Sequence, residues 1–239
     1  LGFYLLGKLR FPHDSEVKHV GVTRLLLAIV TFAFVVYMLP GMWGAPLRGL
    51  SGYLPPLETQ DFRPAETERT ADSEARFDMG FPREVKYGDL LKLPHGLQGF
   101  FDLDEALDYA RKVRKPLFVD YTGHGCVNCR EMEARVWYDP QVLGLLRKDF
   151  EIVALYSDDK KQLLGSEWVT TEHGKVLKGM GKINAYRVHK QFGINAQPYY
   201  MILGPNGEQL VPGRGYDLNV TRFVTFLQEG LQAYREMER

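Results

Sequence analysis

Cysteine is scarce in this sequence, since only Cys126 and Cys129 occur among 239 residues. Two thiols are too few for a fold held together by several disulfides, and too few for a zinc site made of four cysteines. The pair therefore indicates one of three things: redox chemistry, a single structural disulfide, or part of a mixed metal site.

Neither positive nor negative charge is in excess, because 30 lysines and arginines balance 30 aspartates and glutamates. Proteins that bind nucleic acids normally present a strongly basic face. The balance therefore argues against a nucleic-acid partner.

Charge disappears altogether from Leu25 to Leu47, a run of 23 uncharged residues. About 20 apolar residues cross a bilayer as a helix, so this run predicts a transmembrane helix; the alternative is a buried core helix. Lysine and arginine are denser before the run than just after it, which places the chain beyond residue 50 on the outer side of the membrane. Residues 1–10 are typical of the end of a preceding span.

The next segment has the composition of a linker, because proline, glutamate, threonine and arginine dominate residues 54–82. Such a segment buries too little apolar surface to offset the entropy lost on ordering it. The sequence therefore predicts three parts: the end of a membrane domain at 1–50, a flexible linker at 51–82 and a folded domain at 83–239.

Short apolar runs alternate with amphipathic segments in the predicted folded domain. The apolar runs predict strands at 116–121, 151–157 and 198–203, the last forming a hairpin with residues 209–213. A capping box of Asp102 and Glu105 opens the first helix. This order predicts an α/β domain in which helices flank a mixed sheet. Helices are expected within 101–115 and at 127–137, 140–148, 183–192 and 218–236.

The two cysteines fall where a buried strand passes through a short glycine-containing loop into a helix. The first turn of a helix has unsatisfied N–H groups and the positive end of the helix dipole, both of which stabilise a thiolate. We therefore predict that Cys126 is the nucleophile of disulfide exchange. Cys129 lies one turn further along the helix and would resolve the mixed disulfide.

Two carboxylates are candidates for taking the proton of Cys129. Asp120 interrupts the apolar strand on the side opposite to Val119 and Tyr121, where burial should raise its pKa. Glu133 follows Cys129 by four residues and therefore shares its helix face. Both could carry protons during exchange. The alternative for each is an acid that a buried lysine or a backbone N–H simply satisfies.

The segment PLFVDYTGHGCVNCREMEARVW, with QPYYMIL some seventy residues later, resembles a thioredoxin-fold domain. More narrowly, it resembles the C-terminal periplasmic domain of the DsbD family of transmembrane thiol:disulfide interchange reductases, in which this domain follows the last membrane helix. The resemblance implies catalytic roles for Cys126, Cys129, Asp120 and Glu133. It also places at Pro198 the family's cis-proline, which faces the cysteines and helps to seat the partner chain.

The resemblance also implies a setting and partners. The chain would lie in a bacterial inner membrane, with its C-terminal domain in the periplasm. Its own upstream membrane domain would donate electrons, and periplasmic thiol–disulfide proteins, including those of cytochrome c biogenesis, would accept them. No organic cofactor or metal is expected, because the redox-active disulfide Cys126–Cys129 itself carries the electrons. Gln197 either offers backbone hydrogen bonds to an extended partner peptide or merely precedes a turn.

Other interpretations remain open. Cys126 and Cys129, together with His124, could hold copper or zinc in a membrane-tethered module. The pair could also be a structural disulfide, although so small a loop gains little entropic stabilisation. The region 158–182 is longer than the common thioredoxin fold needs, and it either shapes the active site and partner choice or is a surface loop.

Overall fold

The computed structural model describes residues 1–14, 19–43 and 81–238, which fall into two compact units. One unit holds the described residues up to 43, and the other holds residues 81–238. All but the last two residues of the predicted linker at 51–82 lie outside the described residues.

The N-terminal unit contains two helices, α1 (Gly2–Leu5) and α2 (Val22–Met38). They pack through the rings of Phe3 and Phe32, whose centroids are 5.2 Å apart. The Arg24 side chain, near the start of α2, donates hydrogen bonds to two carbonyl groups at the end of α1. The short N-terminal segment is therefore folded back along the first turns of α2.

Among the described residues, one helix is long and apolar enough to cross a membrane, at Val22–Gly41, with a mean hydropathy of 2.2. Only 6% of its apolar window is buried, which does not fit the alternative of a core helix. A helix of this kind near the N-terminus suits a membrane span or a signal sequence. It begins three residues before the predicted span at 25–47, and residues 44–47 lie outside the described part of the chain.

A three-stranded mixed sheet forms the centre of the C-terminal unit, in the order β2–β1–β5. The central strand β1 runs parallel to β2 and antiparallel to β5, and every residue of β1 and β2 is buried. A separate two-stranded ribbon pairs β3 with β4. The strands are β1 (Leu117–Thr122), β2 (Glu151–Tyr156), β3 (Val169–Thr170), β4 (Val176–Leu177) and β5 (Tyr199–Leu203).

Five α-helices accompany this sheet among residues 81–238, and they lie close to the predicted positions. The predicted helix at 127–137 is an α-helix only in its first half, since residues Glu133–Trp137 form a π-helical turn. The predicted helix at 183–192 begins three residues earlier. The helices are α3 (Leu103–Val113), α4 (Val127–Met132), α5 (Pro140–Asp149), α6 (Met180–Phe192) and α7 (Val220–Met237).

The start of α3 differs from the prediction in one contact. The Asp102 carboxylate accepts the backbone N–H of Glu105 at 3.1 Å, as an N-cap should. The Glu105 carboxylate does not return to Asp102 but accepts the backbone N–H of Lys86 at 3.0 Å. The predicted capping box is therefore wrong in its second half, because a segment preceding the helix offers a donor that the local sequence does not reveal.

The hairpin predicted after β5 is present in a reduced form. Gly204 donates its N–H to the Glu208 carbonyl at 2.8 Å and closes the turn. The returning chain then makes only isolated bridges, from Gln209 to Leu203 and from Arg214 to Tyr200. A full strand is not formed at 209–213, where Pro212 has no N–H to donate.

The sheet separates two apolar cores. One core contains Phe118 of β1 together with residues of α5, of α7 and of the π-helical turn. The other contains Val119 and Tyr121 of β1 together with residues of α3 and α6. Because side chains alternate along a strand, Asp120 lies on the same face as Phe118, as the sequence predicts.

Candidate active site at the start of helix α4

Cys126 is the N-cap residue of α4 and follows β1 through the loop 123–125. Its sulfur accepts the backbone N–H of Cys129 at 3.1 Å. The two cysteines form a disulfide, with their Cα atoms 5.2 Å apart. The structure therefore places the first sulfur where a backbone N–H of the helix points towards it.

The two sulfurs are not equally accessible. Cys126 is 8% exposed and Cys129 is 1% exposed. A partner can therefore reach Cys126 first, while Cys129 is sheltered one turn behind it. This is the asymmetry that sequential disulfide exchange requires.

Asp120 is buried in the centre of β1, with 2% of its surface exposed. Its Oδ1 atom accepts no hydrogen bond from any described residue. Burial raises the pKa of Asp120 to about 7, although the nearby positive charge of Arg130 acts in the opposite direction. A carboxyl group with this pKa can both accept and release a proton near neutral pH.

Glu133 is also buried, and it has a cationic partner. Its Oε1 atom lies 2.7 Å from a guanidinium nitrogen of Arg130, and both side chains are 9% exposed. Arg130 also donates to the Thr122 hydroxyl at 3.3 Å. The charge of Glu133 is therefore compensated by an arginine and not by the buried lysine considered from the sequence.

Sequence reasoning missed two residues of this buried group. Arg130 directly follows the cysteine pair, and its spacing of three residues from Glu133 on a helix is the signal that could have revealed it. Tyr200 lies opposite Asp120 in the pairing of β1 with β5. Burial, reinforced by the charges of Asp120 and Glu133, raises the pKa of Tyr200, so its phenol stays protonated.

Gln197 and Pro198 are joined by a cis peptide bond, as expected from the resemblance. The Gln197 side chain accepts a hydrogen bond from the Ser157 hydroxyl. A Cβ atom placed on Gly123 would lie 2.7 Å from Gln197 Nε2, so Gln197 packs directly against the loop before Cys126. The structure thus brings Gln197, with Pro198 next to it in the chain, to the loop before the first cysteine.

The residues that follow β2 also hold this loop. The Asp158 carboxylate accepts the backbone N–H groups of His124 and Gly125, each at 2.8 Å. The His124 ring stacks on Tyr156 at a centroid distance of 4.3 Å, and its Nε2 atom lies 2.9 Å from Asp159. The first residues of the region 158–182 therefore support the active-site loop.

These contacts bear on the metal-binding alternative. The two sulfurs are bonded to each other, and the imidazole of His124 is engaged by Asp159. Across residues 1–14, 19–43 and 81–238, no group of three or more His, Cys, Asp or Glu side chains is arranged to hold a metal ion. No observation here favours a copper or zinc module.

Comparison with known proteins agrees with this architecture. Residues 97–205 match a protein-family model described as thioredoxin-like. Similar solved structures include a DsbH oxidoreductase, at 16% identity and a TM-score of 0.44, covering 66% of this chain and 98% of that one. A thioredoxin from Thermus thermophilus matches at 19% identity and a TM-score of 0.40, covering 55% of this chain and 85% of that one.

A disulphide isomerase from Xylella fastidiosa Temecula1 matches at 12% identity and a TM-score of 0.32, covering 60% of this chain and 99% of that one. No curated protein matches the sequence. The narrower resemblance to the DsbD family stays a prediction. The mixed sheet, its flanking helices and the matched family model together show that the domain containing Cys126 and Cys129 has a thioredoxin-like α/β fold.

Proposed function

We propose that this chain is a membrane-anchored protein-disulfide reductase that acts through Cys126 and Cys129. The observation that carries the proposal is the unequal burial of the two sulfurs at the start of α4, at 8% and 1% exposed. The buried carboxyl group of Asp120, with a pKa of about 7, supplies a proton acceptor in the same domain.

In the reduced protein, the thiolate of Cys126 attacks one sulfur of a partner's disulfide. A bond forms between Cys126 and that sulfur, and the partner's other sulfur leaves as a thiolate. The backbone N–H of Cys129, in the first turn of α4, stabilises the Cys126 thiolate before the attack, because it points towards that sulfur. Gln197, which packs against the loop at Gly123, and the adjacent Pro198 are the residues against which the partner chain would rest.

Resolution uses the buried sulfur. Cys129 passes its proton to Asp120 and attacks Cys126, which releases the second partner sulfur as a thiolate and forms the Cys126–Cys129 disulfide. Two electrons have then moved from this domain to the partner. Arg130 and Glu133 keep the buried charges near Asp120 in balance, since their ion pair occupies the same face of the sheet.

The membrane role rests on α2 and on the resemblance to the DsbD family. The helix at Val22–Gly41 would anchor the domain in a bacterial inner membrane, with residues beyond 50 in the periplasm. An upstream membrane domain would return two electrons to the disulfide after each cycle. Periplasmic thiol–disulfide proteins would be the acceptors.

The two cysteine variants of the full chain test this mechanism. Cys126→Ser should abolish reduction of a disulfide-containing protein, because no accessible nucleophile remains. Cys129→Ser should accumulate a mixed disulfide with the substrate, visible by mass spectrometry under non-reducing conditions. The reduced wild-type chain should convert the substrate to its dithiol form. Turnover by Cys126→Ser would contradict the proposal.

A further inference from the structure

The residues that follow β2 form a cleft beside the active-site loop. Residues 158–179, here called the insert, precede α6 and contain the ribbon of β3 and β4. The cleft has a volume of about 580 Å³ and is lined by residues 157–160, 162, 175–179 and 182. Four of its lining side chains are the exposed lysines Lys160, Lys175, Lys178 and Lys182, and we call it the lysine cleft.

The lining of the lysine cleft carries a net positive charge, because its four lysines outnumber its two acids, Asp158 and Asp159. None of the four lysines forms an ion pair with any residue that the structure describes, and Lys178 lies over the ring of Trp168 at 4.3 Å. The two acids of the cleft wall are engaged elsewhere. Asp158 accepts N–H groups of the active-site loop, and Asp159 bonds to His124 and to the backbone N–H of Lys161.

Two residues of the cleft wall, Asp158 and Asp159, also contact the active-site loop. His124, which contacts Asp159, precedes Cys126 by only two residues in the chain. Residues 157–159 therefore line the cleft, and two of them also hold the active-site loop. The cleft is thus linked through Asp158 and Asp159 to His124 and Gly125, which directly precede Cys126.

Exposed apolar side chains of the insert border the same surface. Val176, which lines the cleft, is 46% exposed, and Trp168, whose ring contacts Lys178, is 43% exposed. Unpaired lysines beside exposed apolar side chains fit a protein partner, which supplies carboxylates together with apolar contact area.

We propose that the lysine cleft docks an acidic stretch of the partner protein next to the disulfide that Cys126 attacks. The inference rests on the proposed reductase function and specifies its substrates: disulfides flanked by aspartate and glutamate. Complementary charge speeds diffusional encounter and selects among partners, and its effect falls as salt screens it.

The test uses the full chain in nanodiscs of zwitterionic lipid and two disulfide-bridged peptides. The peptides have the same length and the same residues around the cysteines, but one carries acidic flanks and the other basic flanks. At low ionic strength, kcat/KM for the acidic peptide should be about tenfold higher, and the two values should converge in 0.5 M salt as the charges are screened.

A matched pair of variants locates the effect. Lys160→Glu/Lys182→Glu should remove the preference for the acidic peptide. Lys112→Glu/Lys148→Glu changes the net charge equally on α3 and α5, and it should keep the preference. Both variants should reduce a small neutral disulfide at the wild-type rate, since neither changes the cysteines or their buried neighbours.

The outcomes separate the two proposals. If the wild type reduces no disulfide at all, the proposed reductase function fails. If it reduces both peptides equally at low salt, or if both double variants lose the preference equally, docking at the lysine cleft is wrong. If Lys160→Glu/Lys182→Glu differs from Lys112→Glu/Lys148→Glu only in its binding to anionic lipid vesicles, the lysines face a membrane surface, and docking at the lysine cleft is likewise wrong.

Discussion

The carboxyl group of Asp120 is held in an environment unlike water, because it is buried and one of its oxygens lacks a hydrogen bond from the described residues. Its pKa of about 7 lies above that of an unfolded aspartate, about 3.9. The folded protein therefore keeps a proton that the unfolded chain releases. Between about pH 4 and pH 7, stability should fall as pH rises, since unfolding then releases a proton.

Replacing Asp120 by asparagine should remove this loss of folding stability at high pH. We expect Asp120→Asn to exceed the wild type in free energy of unfolding at pH 8, by at most about 4 kcal/mol, with little of this difference remaining at pH 4. Urea unfolding of both proteins at pH 4, 6 and 8 measures the effect. A difference that did not change with pH would show that Asp120 titrates normally in the folded protein.

The ion pair of Arg130 and Glu133 gives a second prediction for single residues. Arg130→Met leaves the Glu133 carboxylate buried without its cation, which should lower the free energy of unfolding by about 3–5 kcal/mol. The double variant Arg130→Met/Glu133→Met should recover most of that loss, because neither buried charge then remains. Chemical denaturation of the three proteins gives the comparison, and a double variant as unstable as the single one would contradict it.

At the scale of elements, α6 packs against residues 157–159, the segment after β2 that holds the active-site loop. Gly181 lies in the first turn of α6, where an added Cβ atom would come within 2.6 Å of the Ser157 carbonyl oxygen and 2.7 Å of two backbone atoms of Asp159. Backbone atoms cannot move aside as a flexible side chain can. Helix α6 and residues 157–159 are therefore closely packed at Gly181.

Two glycine substitutions test that junction. Gly181→Ala should lower the free energy of unfolding by about 1–3 kcal/mol, because the new methyl group overlaps backbone atoms. Gly144→Ala in α5 is the control. Apart from Gly144, its two chain neighbours and its own helix backbone, no atom of the described residues lies within 4 Å of the added methyl group, so this change should raise stability by about 0.5–1 kcal/mol. Thermal unfolding distinguishes them, and equal effects would mean that α6 shifts without cost.

Elements were predictable where the signal is local. The periodicity of apolar residues gave α3, α5 and α7 within a few positions, and the apolar runs gave β1, β2 and β5. The partner of Glu105 was not predicted, because Lys86 lies far from it in the sequence, and no sequence signal indicated the π-helical turn at Glu133–Trp137. Spacing likewise located the cysteines and Asp120, whereas Tyr200 reaches the site only through the pairing of β5 with β1.

At the scale of the whole molecule, Phe81 precedes the predicted start of the folded domain and yet belongs to its apolar core. The sequence predicted a start at residue 83, yet Phe81 is 6% exposed and packs against Phe100 and Tyr109. Both apolar cores lie within residues 81–238. We therefore expect residues 81–239 to fold without the N-terminal unit.

Truncation measures the contribution of Phe81. A fragment of residues 83–239 should be about 2–3 kcal/mol less stable than one of residues 81–239, because burying a phenylalanine contributes about that amount. The longer fragment with Phe81→Ala should match the shorter one. Equal stability of the 81–239 and 83–239 fragments would show that the packing of Phe81 contributes nothing.

The outer strands of the sheet each carry a short bridging segment, Phe100 along β2 and the residues around Gln209 and Arg214 along β5. Backbone groups that would otherwise recruit a strand from another molecule are thus already occupied at these points. Lateral addition of a strand is therefore disfavoured at these points, and in the proposed mechanism a partner would instead approach Gln197 and Pro198, which precede β5. The bridging segments along β2 and β5 also limit edge-to-edge polymerisation between copies of the chain.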